Sequence, residues 1–387
     1  MGILKSLRSV SLSKLILIVL ICGLSATLST LKAQSTNDVL NLLVANKTIT
    51  EDQADSVRAE AAIKQQETDA AKKSFFLSAA RSMKLSGYTQ FRYQQFEETG
   101  KISGTDIRRA RLDLRGDLTP FWSYQFQVDF AGNVKLLDAV ADFKPWDFLN
   151  ISVGQTKIPL SYENQISDNK SEANDRSQVV EALVARGKDV NGNHNGRDLG
   201  ILIGGTFLKI NGKNRVDYRI GVFNGEGINV ADSNSAKSTS GRIIVHLVKG
   251  LDIGASYYSG WDKFTIGKGF PAINQNRSRY GFELNYEVKR FYFRGEYLQG
   301  KDAGITREGW YLQSGYYVIP ANVQVLLKYD VYDPNKSKTG DISSRYIVGA
   351  TWQFNSFAKL ALNYNFCEEE SNNISNNFTS VQFQIGF

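Results

Sequence analysis

Cysteine and histidine are scarce in this chain, with two of each in 387 residues. His194 and His246 lie far apart, and no Cys or His cluster has the spacing of a zinc site, so the residues suggest no metal centre. No nucleophile elbow and no Walker-type loop is present, which removes the common sequence signatures of hydrolases and nucleotide-dependent enzymes. Asp189, Asn191, Asn193 and Asn195 resemble a calcium loop only weakly, because the distal glutamate of an EF-hand is missing. No cofactor is implied. The mean hydropathy is −0.30, too low for a bundle of apolar membrane helices. A barrel whose strands put only half their residues in lipid is still compatible with that value.

The first residues are different. Lys5, Arg8 and Lys14 precede the apolar run from Leu15 to Leu24, and small residues lead to Ala33. This is the pattern of a signal peptide over residues 1–33, too short and badly flanked for a spanning helix. Cys22 lacks the small preceding residue of a lipidation site, since Ile21 stands there. Cleavage removes Lys5, Arg8, Lys14 and Lys32 and no acid, leaving a net charge of +3 in place of +7. The basic balance is therefore partly a targeting feature, and a nucleic-acid partner is not expected. Only Cys367 remains, so an exported chain of this kind has no internal disulfide framework.

Residues 34–80 read as a periplasmic helical or coiled-coil segment. Val39, Leu40, Leu43 and Val44 have helical spacing, and Thr50 with Gln53 forms a capping box. Ala54, Val57 and Ala61 mark a narrow seam. No Gly or Pro occurs from Ser35 to Leu85, and two short helices or a disordered spacer fit the pattern.

From Lys84 onward the period changes to two. Trp122, Tyr124, Phe126, Val128 and Phe130 alternate with Ser123, Gln125, Gln127 and Asp129. Tyr346, Val348, Ala350, Trp352 and Phe354 alternate in the same way, as do Val381, Phe383, Ile385 and Phe387 at the C-terminal end. One face is rich in aromatics and the other carries charges of both signs, which fits lipid outside and water inside. Sixteen such segments are expected: 84–94, 105–118, 121–131, 135–144, 148–157, 197–209, 213–224, 240–249, 251–260, 277–289, 290–300, 307–318, 321–332, 343–354, 357–366 and 378–387. The reading is all-β: a transmembrane antiparallel barrel over 84–387, closed by an even number of strands, with short turns at one end and longer loops at the other. Trp122, Trp146 and Trp352 fall near the short-turn end and Trp261 and Trp310 near the other, as interface girdles require.

Two features carry the expected chemistry. The longest connection, about 158–196, is either a constriction loop folded into the lumen or a solvated external loop. Its basic residues are Lys170, Arg176, Arg186 and Lys188, against six acids: Glu163, Asp168, Glu172, Asp175, Glu181 and Asp189. The second feature is Arg109, Arg111 and Arg115 on one strand face, with Arg108 beside them and Asp113 and Asp117 interleaved. It is either an anion ladder or a wall balanced by Asp129, Asp138 and Asp142. Arg219, Arg294 and Arg345 are further expected pore-lining cations. Tyr258, Tyr292, Tyr311, Tyr317 and Tyr332 fall on the lumen face, where they would offer stacking surfaces for a sugar.

The run from Ile107 to Gly116 resembles the arginine-rich second strand of the phosphate-selective porin O and P family. The stretches Leu136–Ala139, Val153–Pro159, Arg176–Ser177, Arg197–Gly200 and Gly221–Gly225 are similar to that family in order. The resemblance implies a sixteen-stranded outer-membrane channel, usually a homotrimer, with an inward-folded loop and a terminal aromatic, here Phe387, read by the barrel assembly machinery. The implied function is passive diffusion of small hydrophilic solutes, anionic or neutral, with phosphate favoured by resemblance alone. The alternatives are a non-specific or oligosaccharide-type porin and a plugged barrel that serves in adhesion. The net-acidic loop departs from a basic phosphate filter.

Overall fold

The computed structural model describes residues 36–265, 271–371 and 374–387, with the side chains of 36–38 and 70–81 left aside. The expected signal peptide lies outside these residues. The chain divides into two compact units, residues 1–77 and 78–387.

In the first unit, α1 spans Thr36–Ala45, and α2 spans Glu51–Ser82 and runs on into the second. The capping box forms: Thr50 N–H donates to Gln53 Oε1 at 2.9 Å, and Gln53 N–H to Thr50 Oγ1 at 3.3 Å. Two short helices were expected, yet α2 has 32 residues. Nothing in that stretch stops a helix, since Gly and Pro are absent and Ala, Lys, Gln and Glu dominate.

The second unit is a closed antiparallel barrel of sixteen strands. Its first half comprises β1 (Lys84–Phe96), β2 (Gly104–Asp117), β3 (Trp122–Asp129), β4 (Lys135–Trp146), β5 (Leu149–Lys157), β6 (Arg197–Ile210), β7 (Lys213–Phe223) and β8 (Ser238–Val248). The second half comprises β9 (Leu251–Phe264), β10 (Ile273–Val288), β11 (Phe291–Asp302), β12 (Ile305–Ile319), β13 (Val323–Asp333), β14 (Ser343–Gln353), β15 (Ala358–Glu369) and β16 (Phe378–Gly386). Each strand pairs with its sequence neighbours, and β1 closes on β16 from Tyr88↔Gly386 to Phe96↔Phe378. Closure removes the sheet edges that lipid would leave unsatisfied.

The connections alternate as expected. Those after β2, β4, β6, β8, β10, β12 and β14 have two to four residues. Those at the other end are longer, apart from residues 303–304. Asn211 and Gly212 link β6 to β7 with φ of 52° and 73°, the two-residue turn that matches strand twist. Both β9 and β10 extend about four residues beyond expectation, to Phe264 and from Ile273. Glycine and charge mask their period, but Asp262 and Phe264 still point inward, at 1% and 4% exposure.

Parity on β13 and β14 separates the two faces. Val325, Leu327, Val348 and Trp352 are exposed, whereas Gln324, Leu326, Lys328, Ile347 and Thr351 between them are buried. The outer apolar face has no protein to pack on, so its free energy depends on lipid. Leu327→Arg, in mid-strand, is expected to destabilise the barrel by about 2–4 kcal/mol. Urea unfolding in liposomes, with Gln324→Arg on the lumen face as the mild control, measures it.

Candidate functional site: a lumen divided by an inward loop

Residues 158–196 fold into the barrel. The base of the loop is drawn shut where Ile158 N–H donates to Gly196 O at 3.0 Å. Asn164 Nδ2 reinforces it with bonds to Ile158 O and Gly196 O. Within the loop, α3 (Tyr162–Gln165) and α4 (Gln178–Leu183) are joined through a 3-10 turn at Asp168–Lys170. The sequence places an apolar run at Val179, Val180, Ala182, Leu183 and Val184, and it packs with Leu298, Tyr311 and Tyr258 in one buried cluster. This cluster is the loop's apolar anchor, against β11 to β13.

Ion pairs do the rest. Lys328 Nζ lies 2.5 Å from Glu163 Oε1. Arg277 holds Asp189 of the loop at 2.5 Å, together with the wall carboxylates Asp262 and Asp302. Glu172 pairs with Arg294, and Asp175 with Arg108 at 2.6 Å. Asp168 is 2.6 Å from both Arg111 Nη1 and Arg176 Nη2, and 3.3 Å from Arg109 Nη2. Five of the six loop acids are thereby engaged by cations. Toward β15 and β16, Asn174 N–H donates to Asn363 Oδ1 and its Nδ2 to Ser380 O, while Lys359 Nζ donates to Asn169 O. The solvated-loop alternative is therefore set aside by the structure.

The expected basic residues distribute unevenly. Arg111 lies 5% exposed between Asp129, Tyr88 and Asp168. Arg115 is turned away to Asp113, near the short-turn end. Arg219 reaches only Gln165 Oε1, at 3.5 Å. Arg294 and Arg345 are on the lumen wall but engaged, Arg345 with Asp330 at 2.7 Å. In the loop, Lys170 and Lys188 are exposed, while Arg176 and Arg186 are buried. Arg186 is bound only through Asn164 Oδ1, at 2.8 and 3.1 Å. Burial and the neighbouring Arg176 push its guanidinium down to about 9, still protonated at neutral pH. One ladder was expected on β2; instead a register shift at Gln90/Phe91 leaves Arg108 without a partner on β1. This bulge turns Arg108 inward beside Arg109, against the strict alternation.

These side chains frame two cavities. One of about 450 Å³ lies toward the long-loop end. Its walls carry Arg108, Arg109, Arg111 and Arg345 from the strands, Arg176, Arg186 and Lys188 from the loop, and Lys101 at the rim. Asp129, Asp175 and Glu181 are the carboxylates on its lining, and Asp168 and Asp330 behind the wall pair with four of the eight cations, Arg109, Arg111, Arg176 and Arg345. The second, about 280 Å³, lies toward the short-turn end and is lined by Lys170, Lys359, Glu172 and Tyr317 among others. The expected sugar-stacking surface is not available as a whole. Tyr258, Tyr292 and Tyr311 are at most 4% exposed, and Tyr332 packs against the loop's cluster. They point inward, but the loop's cluster covers Tyr258, Tyr311 and Tyr332, and Arg294 and Tyr317 stand against Tyr292. Sequence reasoning also missed Lys328, Arg277 and Arg197 as anchors; Arg197 begins β6 and pairs with Asp138 at 2.8 Å. Their inward parity was readable, but their partners were not. Asp189 accepts the N–H groups of Ala185 and Asn191 and faces Arg277, so its turn is organised by a guanidinium.

With this geometry, the comparisons decide the family. The model of phosphate-selective porin O and P matches residues 84–385. The chain belongs to that family. No curated protein is similar enough to match. Among solved structures, the anion-selective porin from Comamonas acidovorans is 16% identical over 79% of this chain and 99% of that one, with a TM-score of 0.58. In-vitro folded OmpT, an outer membrane protein of Vibrio cholerae, is 11% identical over 79% and 97%, also at 0.58. The outer membrane channel DcaP of Acinetobacter baumannii is 12% identical over 79% and 97%, at 0.56. At these identities the likeness is one of fold. Family and fold together make the protein an outer-membrane porin.

The loop's attachment has a definite pH dependence. Burial pushes the Asp168 carboxyl up, but Arg109, Arg176 and Arg111 more than offset it and hold it well below the usual range. Burial acts likewise on Glu163, which Lys328 and Arg176 pull down, and on Asp175, held at about 2 chiefly by Arg108. A carboxyl depressed in the folded state contributes stability above its unfolded pKa and loses it as pH falls through its folded value. The loop is thus expected to stay docked from pH 8 to pH 5 and to loosen only in stronger acid. Single-channel current noise across that range tests this; a rise in noise near pH 6 would contradict it. Lys328→Met leaves Glu163 buried without its cation, a loss of about 3–5 kcal/mol, and should expose Lys188 to rapid trypsin cleavage at pH 7.

Proposed function

We propose that the porin is a passive channel for small hydrophilic solutes with a preference for anions, and that the cavity toward the long-loop end is its selective region. The single observation behind this is the excess there of eight cationic side chains over five carboxylates, three on the lining and two, Asp168 and Asp330, behind it. In a narrow passage with low-dielectric walls such an excess raises the local concentration of anions. Arg108, Arg109, Arg111, Arg176, Arg186, Lys188 and Arg345 form the anion path; Lys170 and Arg219 serve the short-turn side, with Arg115. Phosphate is one candidate solute, by family membership. His246 is held between Asp217 and Asp252 on the wall. The outer face suits membrane lipid. A homotrimer, delivery by the barrel assembly machinery through Phe387, and short turns and N-terminal helices on the periplasmic side complete the reading. One OmpT structure from Vibrio cholerae is described as a trimer form, which favours the trimer.

A second reading has an observation of its own. The loop is bonded to opposite walls, through Arg277 of β10 on one side and Arg111 of β2 on the other. A barrel blocked in this way would conduct nothing and act as a scaffold. The zero-current potential in a planar bilayer under a potassium chloride gradient separates the two. We expect an anion-selective potential. Arg111→Gln with Arg108→Gln should lower the anion-to-cation permeability ratio by up to about thirtyfold, since each close charge in water is worth roughly 1 kcal/mol, about a factor of five, and two are removed. A cation-selective potential defeats the anion preference, and an absence of conductance favours the scaffold.

A further inference from the structure

The cavity toward the long-loop end carries one feature that anion selection alone does not use. Phe96 ends β1, Phe378 begins β16, and the two are cross-strand partners. Their ring centroids are 5.5 Å apart with planes tilted by 38°. Both rings line the charged cavity. They lie on the inner face, on the parity of the buried Gln90 and of Gln94, which shares the cavity wall. Neither ring belongs to a packed apolar cluster, and each is half-buried. Lys101 Nζ stands 4.2 Å from the Phe96 centroid, a cation held over the ring face.

An apolar pair facing a wet cavity is costly unless something apolar covers it. The same cavity is lined by guanidinium groups, two of which keep a donor nitrogen buried and unpaired in its wall. Arg108 Nη1 and Arg176 Nε are buried and make no hydrogen bond, and Arg176 is 4% exposed. Unpaired donors on buried guanidinium groups are equally costly unless an acceptor meets them. A ring platform and guanidinium groups thus share one cavity of about 450 Å³, within the range of small-molecule sites.

We propose that this cavity binds organic anions that carry a flat ring next to the charged group. The ring stacks on the Phe96–Phe378 pair, and the anionic group pairs with the guanidinium groups of Arg108 and Arg176 on the lining. The inference rests on the anion-channel reading and adds the solute class. Bare inorganic anions can use the guanidinium groups but leave the rings in water.

The test compares phenyl phosphate with methyl phosphate, which carry the same charge, as blockers of the current through the full-length protein in a planar bilayer. Stacking on aromatic side chains supports about a tenfold lower blocking concentration for phenyl phosphate. In the Phe96→Leu, Phe378→Leu double variant the two should block within about twofold of each other, with the methyl phosphate value unchanged. Equal block of the native channel by both esters overturns the proposal, and so does a ratio that survives in the double variant. If neither ester blocks and the zero-current potential is cation-selective, the anion-channel reading fails and takes this site with it. That outcome is distinct, because when only the ring site is wrong, methyl phosphate still blocks.

Discussion

The arrangement depends on the exchange of carboxylates for water between the loop and the barrel wall. A segment of 39 residues enters a polar lumen carrying six acids and four bases. Each acid gives up hydration on docking, a penalty that close pairing must offset. Asp168 shows how this is done. It lies 6% exposed among Arg109, Arg111 and Arg176, two cations from the wall and one from the loop itself. Such a node is not strong evidence for stability, since charge pairs and desolvation nearly cancel. It bears on register instead, because in this placement the carboxylate meets two cations of β2 and one of the loop itself.

The apolar and ionic contacts have separate tasks. The cluster around Val179, Leu183 and Tyr311 presses α4 against one side of the barrel without specifying its rotation. Directional pairs then fix it: Glu163 to Lys328, Asp189 to Arg277, and Glu296 receiving the N–H groups of Tyr162 and Glu163. Glu296 is a wall carboxylate at the first turn of α3, where the exposed N–H groups need an acceptor. The result is a loop held from three sides, with the two cavities on either face of it.

Much of the barrel was legible from a period of two. The strand count, the alternation of turn lengths and the outward aromatics follow from residues such as Trp122 to Phe130, because one face of each strand meets lipid and the other water. The ends of β9 and β10 were not legible, since Gly260, Asp262 and Lys263 interrupt the pattern where the wall rises beyond the apolar band. The loop's position was legible, but the pairing of its charges was not. A net-acidic composition argues against an anion filter only while the acids are free. The partners that engage them, Lys328 and Arg277 among them, lie 165 and 88 residues away, and no local pattern joins such pairs. The lumen tyrosines fail for the same reason: parity gives direction, whereas coverage depends on what folds over them.

Arg108 shows how a local irregularity alters the electrostatics of the whole passage. On an unbroken strand its side chain would face lipid, where a guanidinium is costly. The bulge that sets Gln90 opposite Arg109 and Phe91 opposite Ile107 leaves Arg108 as the extra residue. It then turns inward to Asp175 of the loop, at 2.6 Å. One inserted residue therefore removes a charge from the lipid face, adds it to the cavity and ties the strand to the loop. Asp175 in turn has a second oxygen that is buried without a partner, so the carboxylate is not fully compensated by Arg108 alone. Arg92 Nη1 lies 3.7 Å from its other oxygen, close enough to steady the pair without taking it over. The cation that the bulge delivers keeps one donor, Nη1, free of any protein partner.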